Sequence, residues 1–289
     1  MLILVTGASG QLGRSIKRLV NQKETSESFV FATRDDLDLH SIINIQNYFE
    51  AQSFDLIINC AAYTSVDRAE DHQEEANMIN HLAVKKIAEI AKRDNIKLIH
   101  ISTDFVFDGL KHKPYFENDT TSPLNIYGKT KLAGENAVLS IMNYNAIIIR
   151  TSWVFSEYGN NFVDTILKLI KKGGDLNIVS DQIGTPTYAA DLGQVILTII
   201  KSEKFNMAIQ ESKIYHYSNE GACNWSDFAK EIVNISGVQC AINPIKTQDY
   251  PTAATRPPNT IMSKDKISKE FGLKINFWDC ALKICMKNI

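Results

Sequence analysis

The stretch LILVTGASGQLG, residues 2–13, runs from a short apolar segment through three glycines at even spacing into a helical pattern that lasts to Val20. That order reads as strand, tight turn and helix. Gly7, Gly10 and Gly13 let the backbone turn sharply, come close to another molecule and pack the new helix on the strand it leaves. The open amides at the helix N-terminus then suit the phosphates of a dinucleotide. The spacing is G-x-x-G-x-x-G rather than G-x-G-x-x-G, so the triplet by itself also fits a merely tight turn. A second strand at residues 28–33 supplies the βαβ context that favours dinucleotide binding.

Working outward, further short apolar runs at residues 55–60, 97–102 and 146–150 alternate with helical patterns at 41–52 and 73–93. The first helix carries Ile42, Ile45, Tyr48 and Phe49 on a stripe, and the second carries Met78, Leu82, Ile87 and Ile90. Strands alternating with helices predict an α/β chain: a Rossmann-like doubly wound parallel sheet, with right-handed crossovers stacking helices on both faces. Beyond residue 151 the pattern loosens, with turns at 172–175 and 183–186 and helices at 189–200 and 225–233. This predicts a smaller, discontinuous α/β substrate-binding lobe at 152–186 and 216–289. The dinucleotide-binding domain then takes 1–151 plus about 187–215. The segment 251–260 lacks periodicity and reads as a loop.

Ligands of such sheets lie beyond the carboxyl ends of the strands. Gly7, the run NCAAYT at 59–64, Ser102-Thr103-Asp104 and Thr151-Ser-Trp153 all fall there. Tyr127 and Lys131, in YGKTKLAGENAVL, are four apart on a predicted helix and so leave from one face. A hydroxyl, a phenol and an amine form the set that a carbonyl reductase needs, because an ammonium beside a phenol favours proton transfer near neutral pH. Alone, the Tyr–Lys pair equally fits an exposed packing pair, and Thr103 fits a hydroxyl that satisfies local backbone.

Composition sets the outer limits: 289 residues with 44% hydrophobic content can bury a large core. A net charge of -2 offers no electrostatic attraction for nucleic acid or anionic membrane. No apolar run nears the ~20 residues of a membrane span, so a cytoplasmic location is expected. Five cysteines without a C-x-x-C pair suit reduced thiols. His112 reads as solvated loop, and no His or Cys cluster has metal-ligand spacing.

The blocks TGASGQLG, NCAAYTSVDRAE, STDFVFDG, SPLNIYGKTKLAGE, RTSWVF, NNF, DQIGTPT and ATRPPNT together resemble the extended short-chain dehydrogenases/reductases. Within them the chain resembles the dTDP-4-dehydrorhamnose reductase family over nearly its whole length. The resemblance implies NAD(P)H-dependent reduction of the C4 ketone of a dTDP-linked 4-keto-6-deoxy sugar. Thr103 would hold the carbonyl oxygen, Tyr127 would protonate the alkoxide, and Lys131 would bind the nicotinamide ribose and depress the Tyr127 pKa. The cofactor would lie on Gly7, Gly10, Gln11, Leu12, Gly13, Arg34, Asp38, Leu39, Ala61, Ala62 and Tyr63, beside Tyr127 and Lys131. Thr64, Val66, Asp104, Trp153, Asn161 and Arg256 would contact the substrate, although Trp153 also reads as ordinary core.

Arg34 can take a 2′-phosphate, whereas Asp35 and Asp36 suit a free ribose, so NADPH is preferred and NADH stays open. Some relatives hold magnesium at a dimer contact through an acidic residue in the first helix. Here Arg14 and Ser15 occupy that stretch, and no metal is expected. The chain is expected to be a monomer or homodimer. Two alternatives remain: a reductase or, less favoured, an epimerase of another nucleotide sugar, and a non-catalytic subunit like the regulatory subunit of methionine adenosyltransferase.

Overall fold

The computed structural model describes residues 1–22, 26–206 and 211–289. At its centre is a six-stranded sheet made of β1 (Leu2–Thr6), β2 (Ser28–Ala32), β3 (Leu56–Asn59), β4 (Lys97–Thr103), β5 (Ala146–Thr151) and the edge strand Lys213–His216. Across the sheet the order is Lys213–His216, β5, β4, β3, β1, β2, and every pairing is parallel. The chain reverses its direction of travel between β1 and β3, which opens a crevice beyond their carboxyl ends.

Successive residues of each strand go to opposite faces, and the core divides accordingly. Leu4, Ile57, Leu98 and Ile148 join one cluster with Ile45, Phe49, Val84, Ile87 and Val138. Ile3, Val5, Ile58, Ile99 and Ile149 join the other with Leu12, Ile16, Leu192 and Ile196. Helices Ile42–Ala51, Ala83–Arg93 and Ile126–Ile141 therefore cover the first face, and Gln11–Asn21 and Ala189–Lys201 cover the second. Burial on both faces is why β1, β3 and β5 read as apolar runs.

The edge strand Lys213–His216 was not expected from sequence. Its residues KIYH set only two apolar positions between polar ends, although His216 itself is fully buried. The single helix expected over 73–93 is interrupted by a π turn at Met78–Leu82, which turns Asn80 inward. A third cluster, including Phe155, Val163, Ile166, Phe228, Ile232 and Leu282, forms a separate core among the later elements. Residues 216–289 do not all belong to it: Tyr217 and Ile267 pack with the sheet, joined by Phe271, Leu273 and Ile275. Residues 207–210 of the expected 187–215 return lie outside the described residues.

Candidate active site

The turn after β1 forms because its glycines are sterically required. Gly7 has φ +64°, and a Cβ there would lie 2.8 Å from the Ala61 backbone. A Cβ on Gly13 would meet the Gly7 carbonyl at 2.5 Å and Ala8 Cα at 2.7 Å. The turn is closed by Gly10 N–H donating to the Gly7 carbonyl at 2.9 Å. Below it, the Thr6 hydroxyl donates to Asn59 Oδ1 at 2.6 Å and accepts from Ala61 N–H at 3.2 Å, which fastens the ends of β1 and β3 together.

A cleft of about 480 Å³ crosses the strand ends. Gly7, Gly10, Gln11, Leu12 and Gly13 line it, as do Arg34, Asp38 and Leu39 after β2, Ala61 and Ala62 after β3, and Tyr127 and Lys131. Thr64, expected at the substrate, also lines this cleft. Arg34 is 70% exposed and lies 3.8 Å from Asp38. The Asp36 carboxylate accepts from the Thr33 amide at 2.9 Å and the Thr33 hydroxyl at 2.7 Å, so it is engaged in its own turn. Gln11 ties the glycine turn to the segment after β5, accepting from the Ser156 hydroxyl at 2.9 Å.

Tyr63 departs from expectation. It packs against the core beneath the sheet, and its backbone N–H and carbonyl are held by the Asn80 amide at 2.9 and 3.1 Å. The π turn is what delivers Asn80, and no periodicity in the sequence marks it. Gln11 also anchors Ser156, a role its motif did not single out, and Cys60 and Ser102 of the two strand-end runs join the cleft wall.

Asn125 caps the helix Ile126–Ile141 by accepting from Gly128 N–H at 2.8 Å. A Cβ on Gly128 would strike the Phe105 carbonyl, so this helix start presses on the end of β4. Tyr127 thereby meets the Thr103 hydroxyl in a hydrogen bond, and its ring meets Phe105 edge-on at 5.8 Å. Burial pushes the phenol up to about 12, helped by the nearby Asp104 and opposed by Thr103. The expected depression by Lys131 is absent. That ammonium donates instead to the Ile101 carbonyl at 2.7 Å, and burial lowers it to about 8 against the attraction of Glu135 and Cys60.

Thr103 and Asp104 lie behind the wall. The Thr103 hydroxyl donates to Asp104 Oδ1 at 3.1 Å and accepts from Phe105 N–H at 3.2 Å. Burial raises the Asp104 carboxyl to about 7 against the hydrogen bonds of neighbouring hydroxyls.

Behind Lys131 the helix stripe continues to Glu135, one turn further on. Arg150 grips Glu135 through Nε at 3.0 Å and Nη2 at 2.7 Å, with both side chains buried. His100 accepts from Asn59 Nδ2 at 3.0 Å, and burial beside Lys131 keeps it neutral.

The other expected substrate residues divide. Arg256 lines a second cavity of about 710 Å³ with Asp67, Phe162, Gln182, Trp225 and Tyr250. Trp153, with φ +46°, stacks on Trp225 at 3.5 Å and lies over Gly184, and it lines neither cavity. Asn161 is fully used as a helix cap: Oδ1 accepts from Val163 and Asp164, and Nδ2 donates to Ser156 and Tyr158 carbonyls. Val66 opens the helix Val66–Asp71, half-buried, and lines neither cavity, although Asp67 beside it lines the second. Sequence reasoning missed Asp67, because nothing local pairs it with Arg256 189 positions later.

Arg14 packs its guanidinium over the Tyr158 ring at 4.1 Å. Among the described residues no group of three or more His, Cys, Asp or Glu could hold a metal ion, and no helix is long and apolar enough to cross a membrane.

Comparison with known proteins adds independent findings. A dTDP-4-dehydrorhamnose reductase of Aggregatibacter actinomycetemcomitans is 40% identical over 289 residues, covering 97% of each chain. The dTDP-4-keto-6-deoxy-D-glucose reductase of Streptomyces niveus is 33% identical, covering 96% of this chain and 94% of that one. Among solved structures, dTDP-4-dehydrorhamnose reductase of Bacillus anthracis in complex with NADP superposes with a TM-score of 0.92 at 34% identity, covering 100% of this chain and 99% of that one. The family model described as the RmlD substrate binding domain matches residues 1–289, and the chain belongs to that family.

Proposed function

We propose that this protein is an NADPH-dependent reductase of the C4 ketone of dTDP-4-dehydro-L-rhamnose, forming dTDP-L-rhamnose. The observation that carries the reading is Tyr127, hydrogen-bonded to Thr103 and placed with Lys131 on the wall of a cleft that begins at the glycine turn. Gly7 and Gly13 let the turn close tightly on Ala61 and Ala8, and the cleft beside it suits a dinucleotide pyrophosphate against the amides at the start of Gln11–Asn21. Arg34 would meet a 2′-phosphate, and Lys131 would hold the nicotinamide ribose. Arg34→Ala is expected to weaken NADPH more than NADH; equal losses would refute the 2′-phosphate assignment. Bound NADPH supplies the hydride.

The residues of the chain then handle the oxygen and its proton. A raised phenol pKa keeps Tyr127 protonated at neutral pH, which is the form a ketone reduction consumes. Thr103 would exchange its bond to Asp104 for one to the substrate oxygen, and the Tyr127 proton would pass to that oxygen as negative charge develops on it. The Lys131 ammonium, returned toward the phenol by its ribose contact, would stabilise the phenolate left behind.

The separate core around Phe228 and Ile166 supports a smaller substrate-binding lobe, with the second cavity at its edge as the place for the nucleotide. Its aromatic wall of Phe162, Trp225 and Tyr250 suits a base, and Arg256 suits the diphosphate. The similarity to the Streptomyces niveus enzyme keeps a second substrate in view, the epimeric 4-keto-6-deoxy-D-glucose. Loss of nicotinamide absorbance with each dTDP-4-keto sugar decides between them: faster turnover of the L-rhamnose precursor supports the proposal. No turnover of either substrate, with NADPH binding intact, would overturn it.

A further inference from the structure

The loop at 254–256 is fastened to the start of the Tyr127 helix by contacts from two directions. Arg256 donates to Asp67 from Nη1 at 3.0 Å and from Nη2 at 2.6 Å, and Ala254 N–H donates to the same carboxylate at 3.1 Å. Three donors on one carboxylate pin the loop to the helix Val66–Asp71. From that helix, Glu70 accepts from the amide of Ile126 at 2.9 Å, and Ile126 is the first residue of the Tyr127 helix. Asn125 closes the triangle. While its Oδ1 caps the helix, its Nδ2 donates to the Thr255 carbonyl at 2.9 Å. Asp67 and Arg256 also line the second cavity.

We propose that Asp67 is a positioning residue: it holds Arg256 and its loop against the start of the Tyr127 helix, so that a diphosphate bound at Arg256 fixes the phenol for proton transfer. The inference rests on the reductase reading and on Arg256 meeting the diphosphate. Asp67 and the diphosphate then compete for one guanidinium, and the carboxylate also repels the phosphate charge. Asp67 therefore weakens nucleotide binding in order to keep the loop in register with the helix. This trade gives a signature that a purely structural role lacks.

The test uses the full chain, first shown to turn over dTDP-4-dehydro-L-rhamnose, with dTDP as the binding probe; absence of wild-type turnover would count against the reductase reading itself. In Asp67→Asn, dTDP is expected to bind several-fold tighter while kcat falls about tenfold and NADPH affinity stays constant. Asn125→Ser keeps the helix-capping oxygen and removes the donor to Thr255, so kcat should fall with dTDP affinity unchanged. Unchanged kcat in both variants would overturn the proposal. So would parallel loss of kcat, dTDP affinity and NADPH affinity in both. Should Asp67→Asn fail to fold, the Asn125→Ser result decides alone.

Discussion

At the scale of single residues, burial governs the chemistry more than neighbouring charge. Tyr127 and Lys131 were legible as a pair because helix periodicity places them on one face, but the sequence carries no measure of desolvation. Its cost raises the phenol, and the ammonium, turned to the Ile101 carbonyl, does not lower it. Tyr127→Phe is expected to lower kcat by at least about a hundredfold and to leave NADPH affinity nearly unchanged, as measured by steady-state kinetics and titration. Retention of most of the turnover would remove Tyr127 as proton donor. Asp104 offers a pH test. Its folded pKa of about 7 stands above its ordinary 3.8, so the unfolded chain releases this proton first as pH rises. Stability from this group is present below about pH 4 and is lost as pH climbs toward 7. Asp104→Asn should therefore gain on wild type across that window, by a few kcal/mol, in urea unfolding at a series of pH values. A constant difference would show that the carboxyl is ionised in the fold throughout.

Among the elements, the five strands expected from sequence all form, and the central strands β1, β3 and β5 were the plainest because burial on both faces makes them apolar runs. The edge strand was illegible for the converse reason: its polar residues find partners only in the fold, Lys213 with Glu270 at 3.0 Å and the His216 amide with Glu117 at 3.1 Å. The π turn at Met78–Leu82 is equally silent: the stripe read through Met78 and Leu82 is only half-buried there, and the buried face runs instead through Ile79, Ala83, Val84 and Ile87. The glycine turn, by contrast, was legible through sterics alone. Gly13→Ala places a Cβ 2.5 Å from the Gly7 carbonyl and must move backbone rather than a flexible side chain. The expected result is at least a tenfold loss of NADPH affinity and roughly 1–3 kcal/mol of stability, read by titration and urea unfolding. Wild-type affinity in that variant would mean that the turn does not approach the cofactor.

Across the whole molecule, the charge pair behind the site joins helix Ile126–Ile141 to β5 and so links the catalytic face to the core. Arg150→Met would strand Glu135 in the interior, at a cost of about 3–5 kcal/mol. Pairing it with Glu135→Leu should recover most of that loss, and equal instability of the single and double variants would mean that packing, not charge, is at stake. Substrate residues were the least legible part of the sequence. Arg256 and Asp67 come together across 189 positions of the chain, and Asn161, which looks like a ligand residue by motif, is consumed in capping a helix. The central claim is that this fold delivers hydride to C4 of a dTDP-linked ketone while Tyr127 supplies the proton. The most direct measurement is NMR of the sugar formed from dTDP-4-dehydro-L-rhamnose and NADPH carrying deuterium at the transferred position. The account predicts dTDP-L-rhamnose labelled at C4; unchanged substrate, or deuterium at any other carbon, would contradict it.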